Sequence, residues 1–224
     1  MSSPDVRFYG RRKGHDLKPG RQRLFDEALP LLRLPDDVPR NLCDLFGGKV
    51  DEVQLEIGFG AGEHLIHQAL ANPRVGFIGA EPYINGVAAL VAGIEREKIE
   101  TIRIFDEDAR LLLAKLPDAS LSRIFLLFPD PWHKARHNKR RFVSEETLDH
   151  FARILRPGGE FRFASDDAGY VRWTLARTTR HRAFSWTAQG PEDWRNRWPD
   201  AIATRYETKN ITGLKPAYLT FVRR

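Results

Sequence analysis

A single cysteine, Cys43, stands among 224 residues, so no disulfide can close within the chain and no zinc site can be built on thiolates. No run is long and apolar enough to span a bilayer. The stretch Met1 to Lys13 is polar and basic and lacks the apolar centre of a secretory signal. These absences lead to the expectation of a cytoplasmic protein in a reducing compartment, with no membrane attachment and no bound metal. Acid is in the minority. Against 36 Lys and Arg stand 30 Asp and Glu, a formal charge of +6 that suits a polyanionic partner. Hydrophobic residues make up 42%, enough for one well-buried domain with short appendages and too many for wholesale disorder.

Residues 1–45 read as a basic N-terminal extension. It opens with Arg7, Arg11, Arg12, Lys13, Lys18, Arg21 and Arg23 and passes through Pro30, Pro35 and Pro39. Residues 46–224 read as one domain in which short apolar runs alternate with helix-length segments. Strands are expected at Val53–Ile57, Val75–Ala80, Thr101–Phe105, Arg123–Phe128 and Glu160–Ala164, with one more strand-like run at Ala217–Val222. Helices are expected at His64–Ala71, Asn85–Glu97, Ala109–Leu116 and Glu145–Leu155. Ser144 is available to cap the last of these, and Pro157-Gly158-Gly159 to stop it. Such alternation predicts an α/β, Rossmann-like domain on a parallel sheet with right-handed crossovers.

The segment Leu55-Glu56-Ile57-Gly58-Phe59-Gly60-Ala61-Gly62 ends a strand, alternates three glycines and opens a helix. Glycine there permits positive φ and close backbone approach to a ligand. A dinucleotide fingerprint would need its third glycine at 63 or 65, where Glu63 and Leu65 stand, so a dehydrogenase is disfavoured. Glu56, two residues before the first glycine, suits a ligand with a positive amino group or sulfonium. Glu81 ends the next strand, where a carboxylate can hold two ribose hydroxyls, and Asp108 follows the third, within reach of an adenine amino group. Any one of these acids is equally readable as a helix cap. Three of them at successive strand ends favour S-adenosylmethionine as the cofactor, with nicotinamide nucleotides the lesser alternative.

After the fourth strand comes Phe128-Pro129-Asp130-Pro131-Trp132-His133-Lys134-Ala135-Arg136-His137-Asn138-Lys139-Arg140-Arg141. Two prolines stiffen the loop around Asp130, Trp132 offers a flat face to a base, and five cations follow within eight residues. A basic run is often a solvated face, but directly behind a site loop phosphate contact is the stronger reading.

These motifs resemble the bacterial tRNA (guanine-N7)-methyltransferases. The likeness runs through Glu56 to Gly62, Gly79-Ala80-Glu81, Asp108-Ala109, Pro129 to Arg141, Ala164-Ser165-Asp166 and Thr204-Arg205-Tyr206-Glu207. It implies a class I S-adenosylmethionine-dependent methyltransferase fold, mostly parallel with an antiparallel C-terminal strand. It further implies methylation of guanosine 46 in the variable loop of tRNA, by a monomer or homodimer without an obligatory protein partner. By position it puts Glu56, Glu81, Asp108 and Asp130 at the cofactor, with Gly58, Gly60 and Gly62 in the loop that receives it and Asp130 also catalytic. Lys134, Asp166, Thr204, Arg205, Tyr206 and Glu207 fall at the substrate. Arg136, His137, Asn138, Lys139, Arg140 and Arg141 fall on the RNA. Asp167 beside Asp166 leaves the substrate carboxylate open by one residue, with Asp166 favoured because it directly follows the strand. After Glu207 the family often has a basic residue and glycine, where this chain has Thr208-Lys209-Asn210.

Guanine N7 carries a lone pair and no proton, so attack on a sulfonium methyl needs no general base. The demand is in-line placement and tolerance of positive charge moving onto the purine. Asp130 is therefore expected to position and to stabilise charge, while Asp166 and Glu207 are candidates to accept from the guanine Watson–Crick edge, with Thr204 closing the pocket. Asp166 is also readable as a helix cap, and the N-terminal basic run either as an arm that orders on RNA or as a solubilising tail. Two rivals remain: an exocyclic amino-methyltransferase, whose Asp-Pro-Pro-Tyr loop has a second proline absent here, and a non-catalytic RNA-binding protein on the same fold.

Overall fold

The computed structural model describes residue 10, residues 12–209 and residues 213–224; Arg7 and Arg11 of the basic run, and Asn210, lie outside them. Five strands run parallel: β1 (Glu52–Ile57), β2 (Val75–Ala80), β3 (Ile102–Phe105), β4 (Leu121–Leu127) and β5 (Leu155–Ser165). β1 pairs with both β2 and β4, β3 adds beyond β2, and β5 adds beyond β4. Two further strands, β6 (Phe184–Trp186) and β7 (Ala217–Arg223), complete a sheet of order β3-β2-β1-β4-β5-β7-β6, with β7 antiparallel to both neighbours. The expected mostly parallel sheet with an antiparallel C-terminal strand is the one that forms.

Successive residues of one strand serve opposite faces of the sheet. In β2, Phe77 joins one apolar cluster and Ile78 the other; in β3, Ile104 and Phe105 divide the same way. Burial on both faces is why these strands read as unbroken apolar runs. One face is covered by α1 (Pro19–Leu32), α2 (Glu63–Ala71) and α3 (Ile84–Glu97), which contribute Leu29, Leu65, Leu90 and Ile94. The other carries α4 (Ala109–Lys115), α5 (Glu145–Ile154) and α6 (Ala168–Thr178), with Leu112, Phe151 and Tyr170 buried. Two short helices, α7 (Glu192–Arg195) and α8 (Arg205–Lys209), lie between β6 and β7.

Several elements depart from the sequence expectation. The helix over Pro19–Leu32 was not expected; Pro19 occupies its first turn, where no amide partner is needed, and Leu29 is buried. Arg33, just beyond it, bridges to Ile104 and pairs with Asp106, fastening the segment to the edge of the sheet. Ser144 caps α5 as expected, in a reciprocal capping box with Thr147. Pro157-Gly158-Gly159, however, lies inside β5 rather than after the helix. Leu155 already pairs with Leu121, and the register shifts before Arg123 meets Glu160. Gly158 takes φ 76° at that irregularity.

Candidate active site

Strand order reverses between β1 and β4, so the loops leaving these two strands diverge and open a crevice at the carboxyl edge of the sheet. The glycine loop leaves β1 and the proline loop leaves β4. Gly62 caps α2 at φ 82°, and a β-carbon there would meet Leu90 Cδ1 at 2.6 Å. From the facing helix, Gly86 approaches so closely that a β-carbon would sit 2.2 Å from the Gly60 carbonyl oxygen. Gly86 escaped sequence reasoning because a lone glycine in an apolar helix carries no motif.

The carboxylate of Glu81 accepts from the backbone N–H of Gly60 and of Tyr83, both at 3.0 Å, and so fixes the glycine loop. Burial pushes its pKa up in spite of these donors, and the charges of Asp130 and Glu56 add to the rise. Glu56 is buried at the end of β1 and accepts from His64 Nδ1 at 2.8 Å. Asp108 caps α4, accepting from the Arg110 backbone N–H at 3.0 Å, and it is ion-paired to the Arg110 guanidinium at 2.6 Å. The helix-cap reading of Asp108 thus holds, at a position that still lines the crevice. The resulting cavity, about 530 Å³, is bounded by Gly58, Glu81, Tyr83, Asp108, Phe128 and Asp130 among others. A second hollow joins Glu56 and Gly60 to Phe128, Thr204 and Tyr206.

The proline loop is held at both ends in an uncommon backbone conformation. Phe128 and Trp132, neither of them glycine, take φ 49° and 48°. Between them Asp130 is exposed at the rim of the cavity, and among the described residues its side chain accepts no hydrogen bond. The basic run folds into a 3-10 turn, Ala135–Arg140, with Lys134, Arg136 and Lys139 exposed and His137 and Asn138 half-buried. Loss of solvation, and then the surrounding Arg140, Arg136, Lys134 and Lys139, hold the His137 pKa down. The guanidinium of Arg140 lies 4.9 Å above the Trp132 ring and covers one face of it.

Arg141 is set apart from the other cations of the run. It is buried, donates from Nε to the Pro131 carbonyl at 2.8 Å, and lies over Tyr170 and Trp173, each at 5.0 Å. In this position it braces the proline loop from beneath, its guanidinium held by the Pro131 carbonyl and two aromatic faces.

The tail residues gather at the same crevice. Tyr206 donates to Asp166 at 3.3 Å, and its ring lies 5.2 Å from that of Phe128. Asp167, not Asp166, caps α6, accepting from the Tyr170 N–H at 2.5 Å. Asp167 also meets His133 Nδ1 at 3.1 Å. Arg205 reaches Glu63 at 3.1 Å, across the start of α2. Glu207 is differently placed from the expectation that it accepts from guanine. One oxygen takes the N–H and hydroxyl of Thr204, and the other takes Arg197 and the Tyr218 hydroxyl. Burial opposes its charge, but Tyr218, the Thr204 backbone and Arg197 outweigh it and hold its carboxyl below the ordinary range. Glu207 is the knot that ties the tail together.

Residues 12–15 cross the start of α3 beside the cavity. Ile84 N–H donates to the Arg12 carbonyl at 2.9 Å, Asn85 accepts from Gly14 at 2.8 Å, and Asn85 donates to the His15 carbonyl at 2.7 Å.

The sequence matches, over residues 51–219, a family model described as a putative methyltransferase. The tRNA (guanine-N(7)-)-methyltransferase of Brucella anthropi is 52% identical over 220 residues, 97% of this chain and 94% of that protein. The protein of the same name from Rhodospirillum rubrum is 53% identical over 226 residues, 98% of this chain and 89% of its own. Among solved structures, the 16S rRNA methyltransferase KamB superposes with a TM-score of 0.60 at 16% identity, over 82% of this chain and 93% of that one. An antibiotic-related methyltransferase superposes with a TM-score of 0.55 at 14% identity, over 85% and 96% respectively. At such identities these two likenesses concern the fold alone.

Proposed function

This chain belongs to the tRNA (guanine-N7-)-methyltransferase family, and from that premise we propose that it methylates N7 of guanine 46 in tRNA with S-adenosylmethionine as donor. One observation carries the reading: carboxylates Glu56, Glu81 and Asp130 gather at a crevice also lined by Arg140, which belongs to the same basic turn as the exposed cations Lys134, Arg136 and Lys139. The inner half suits a small cationic ligand and the rim suits a phosphate backbone. S-adenosylmethionine, when bound, supplies a methyl group on a positively charged sulfur.

The donor set fits that molecule. Glu81, already fixed by two backbone amides, keeps acceptor capacity for a pair of ribose hydroxyls. Glu56 offers negative charge for an ammonium group at the other end of the glycine loop. Asp130, between its prolines, orients guanine and favours the positive charge that accumulates on the ring; it removes no proton, because N7 has none. Asp166 is the acceptor for guanine N1–H and the 2-amino group, with Tyr206 holding it. With Glu207 fully engaged elsewhere, that task falls to Asp166 alone. Adenine would leave this carboxylate without donors, a loss of about 1–3 kcal/mol for each unmet group. We place the reaction in the cytoplasm and expect no partner subunit.

The test is to incubate unmodified tRNA transcripts, with guanosine or adenosine at position 46, with S-adenosylmethionine and to identify the methylated nucleoside by mass spectrometry. 7-Methylguanosine confined to the first transcript supports the reading. Methyl on an exocyclic nitrogen, or equal labelling of both transcripts, defeats it.

A further inference from the structure

Glu56 and His64 are both buried, with side chains 3% and 1% exposed. A buried carboxylate needs a donor, and the choice of donor matters. Lysine or arginine would cancel its charge; a neutral imidazole aims it and leaves the charge in place for a cationic ligand. The neighbours are arranged to suit a ring that donates from Nδ1 and accepts at Nε2. Gln68 Nε2 lies 2.6 Å from the Asp200 carbonyl oxygen, which can only accept, so the amide nitrogen is correctly assigned to that side. The same nitrogen lies 3.4 Å from His64 Nε2 and faces it as a donor, an arrangement that suits a ring proton on Nδ1 toward Glu56 at 2.8 Å. Phe125 meets the imidazole edge-on at 4.8 Å and fixes its plane.

The far end of this chain of contacts is Asp200, four residues before Thr204. Its carbonyl is held by Gln68, and its carboxylate by Arg162 at 2.7 and 2.8 Å and by Arg123 at 3.4 Å. The arginines come from β5 and β4, and both also pair with Glu160. Asp200 is thus pinned to the sheet by its side chain and to α2 by its backbone, and it sets where the segment carrying Thr204 and Tyr206 begins.

We propose that His64, Gln68 and Asp200 are positioning residues that aim the cofactor carboxylate Glu56 without neutralising it and, by the same hydrogen-bonded chain, fix the segment that meets the substrate guanine. The proposal rests on the reading of Glu56 as a cofactor ligand. It adds residues that no motif singles out.

Steady-state kinetics on the full chain test it, varying S-adenosylmethionine and tRNA separately, with melting curves to confirm folding. His64→Leu is expected to raise the cofactor KM at least tenfold, with the tRNA KM within threefold and kcat at saturation within twofold. His64→Asn, which restores an amide donor near the Nδ1 position, is expected to stay within threefold of wild type. Gln68→Met, similar in length but without a donor, is expected to raise the tRNA KM at least fivefold. Should His64→Leu not fold, His64→Gln serves, because its amide reaches the Nε2 position and leaves Glu56 without a donor. An unchanged cofactor KM in the leucine or glutamine variant overturns the proposal. So does equal damage in His64→Asn, which would mean packing alone, or an unchanged tRNA KM in Gln68→Met. Glu56→Gln separates the two levels: if it leaves cofactor affinity intact, the underlying reading of Glu56 fails; if it weakens affinity while His64→Leu does not, only the positioning role fails.

Discussion

Asp130 has prolines on both sides, and beyond them residues with positive φ, so the backbone that carries it has few alternatives. Rigidity of this kind suits a group that places a nucleophile rather than one that carries protons. Asp130→Asn is expected to lower kcat/KM by roughly 100-fold, without recovery as pH rises to 10; a rate that climbs back at high pH would identify a proton-transfer role instead. Glu81 makes a second prediction, for the protein without cofactor. Its folded pKa lies above the ordinary 4.5, so its contribution to stability is fully present below that pH and is lost as pH rises through the raised value. Glu81→Gln does not titrate there. Its melting temperature should therefore gain on wild type between pH 4.5 and neutrality, and a constant difference across that range would rule this out. The sequence located these acids because they stand at strand ends. It could not decide between Asp166 and Asp167, since capping depends on which carboxylate turns toward the Tyr170 amide. Nor could it tell that Arg141 points inward, because a buried and an exposed arginine look alike in a basic run.

At the scale of elements, the five parallel strands were legible since each is buried on both faces and bounded by turns. β6 was not: three residues are too few to show a period, and the strand exists only through its pairing with β7. The 3-10 turn Ala135–Arg140 was equally hidden, yet it sorts the basic run into two classes. Lys134, Arg136 and Lys139 face outward, while Arg141 turns under the proline loop. Lys139→Ala should reduce the slope of log affinity for tRNA against log salt by about 1, leaving the melting temperature unchanged. Arg141→Ala should instead cost about 1–3 kcal/mol of stability, with any loss of activity coming through the loosened loop. Salt-titrated filter binding and thermal melts on the two variants distinguish these roles, and a reversal of the pattern would overturn the assignment.

At the scale of the whole molecule, the N-terminal segment is joined to the site more firmly than its composition suggests. Were the basic run only an arm on RNA, deleting residues 1–24 would weaken tRNA binding and spare the cofactor. With Gly14 and His15 held by Asn85 beside Tyr83, and α1 beginning at Pro19, the same deletion removes a clasp at the cavity and the first turns of a docked helix. The expected outcome is now a lower melting temperature together with weaker cofactor binding by calorimetry. Unaltered cofactor affinity in the truncated protein would show that the clasp is dispensable. Composition cannot reveal such a contact, because the bonds from Ile84 and Asn85 are made by, or to, backbone groups of residues 12–15.

The position of β7 between β5 and β6 bears on how the protein is made. During synthesis β6 leaves the ribosome before the strand it pairs with exists, and the sheet stays open at β5 until Ala217–Arg223 arrives. The chain between them carries Asp200, Thr204, Tyr206 and Glu207, and Glu207 needs Tyr218 of β7 as one of its anchors. A nascent chain can therefore complete its glycine loop while Asp200, Thr204, Tyr206 and Glu207 still lack the finished sheet edge, so the segment that carries them should be the last part of the candidate site to order.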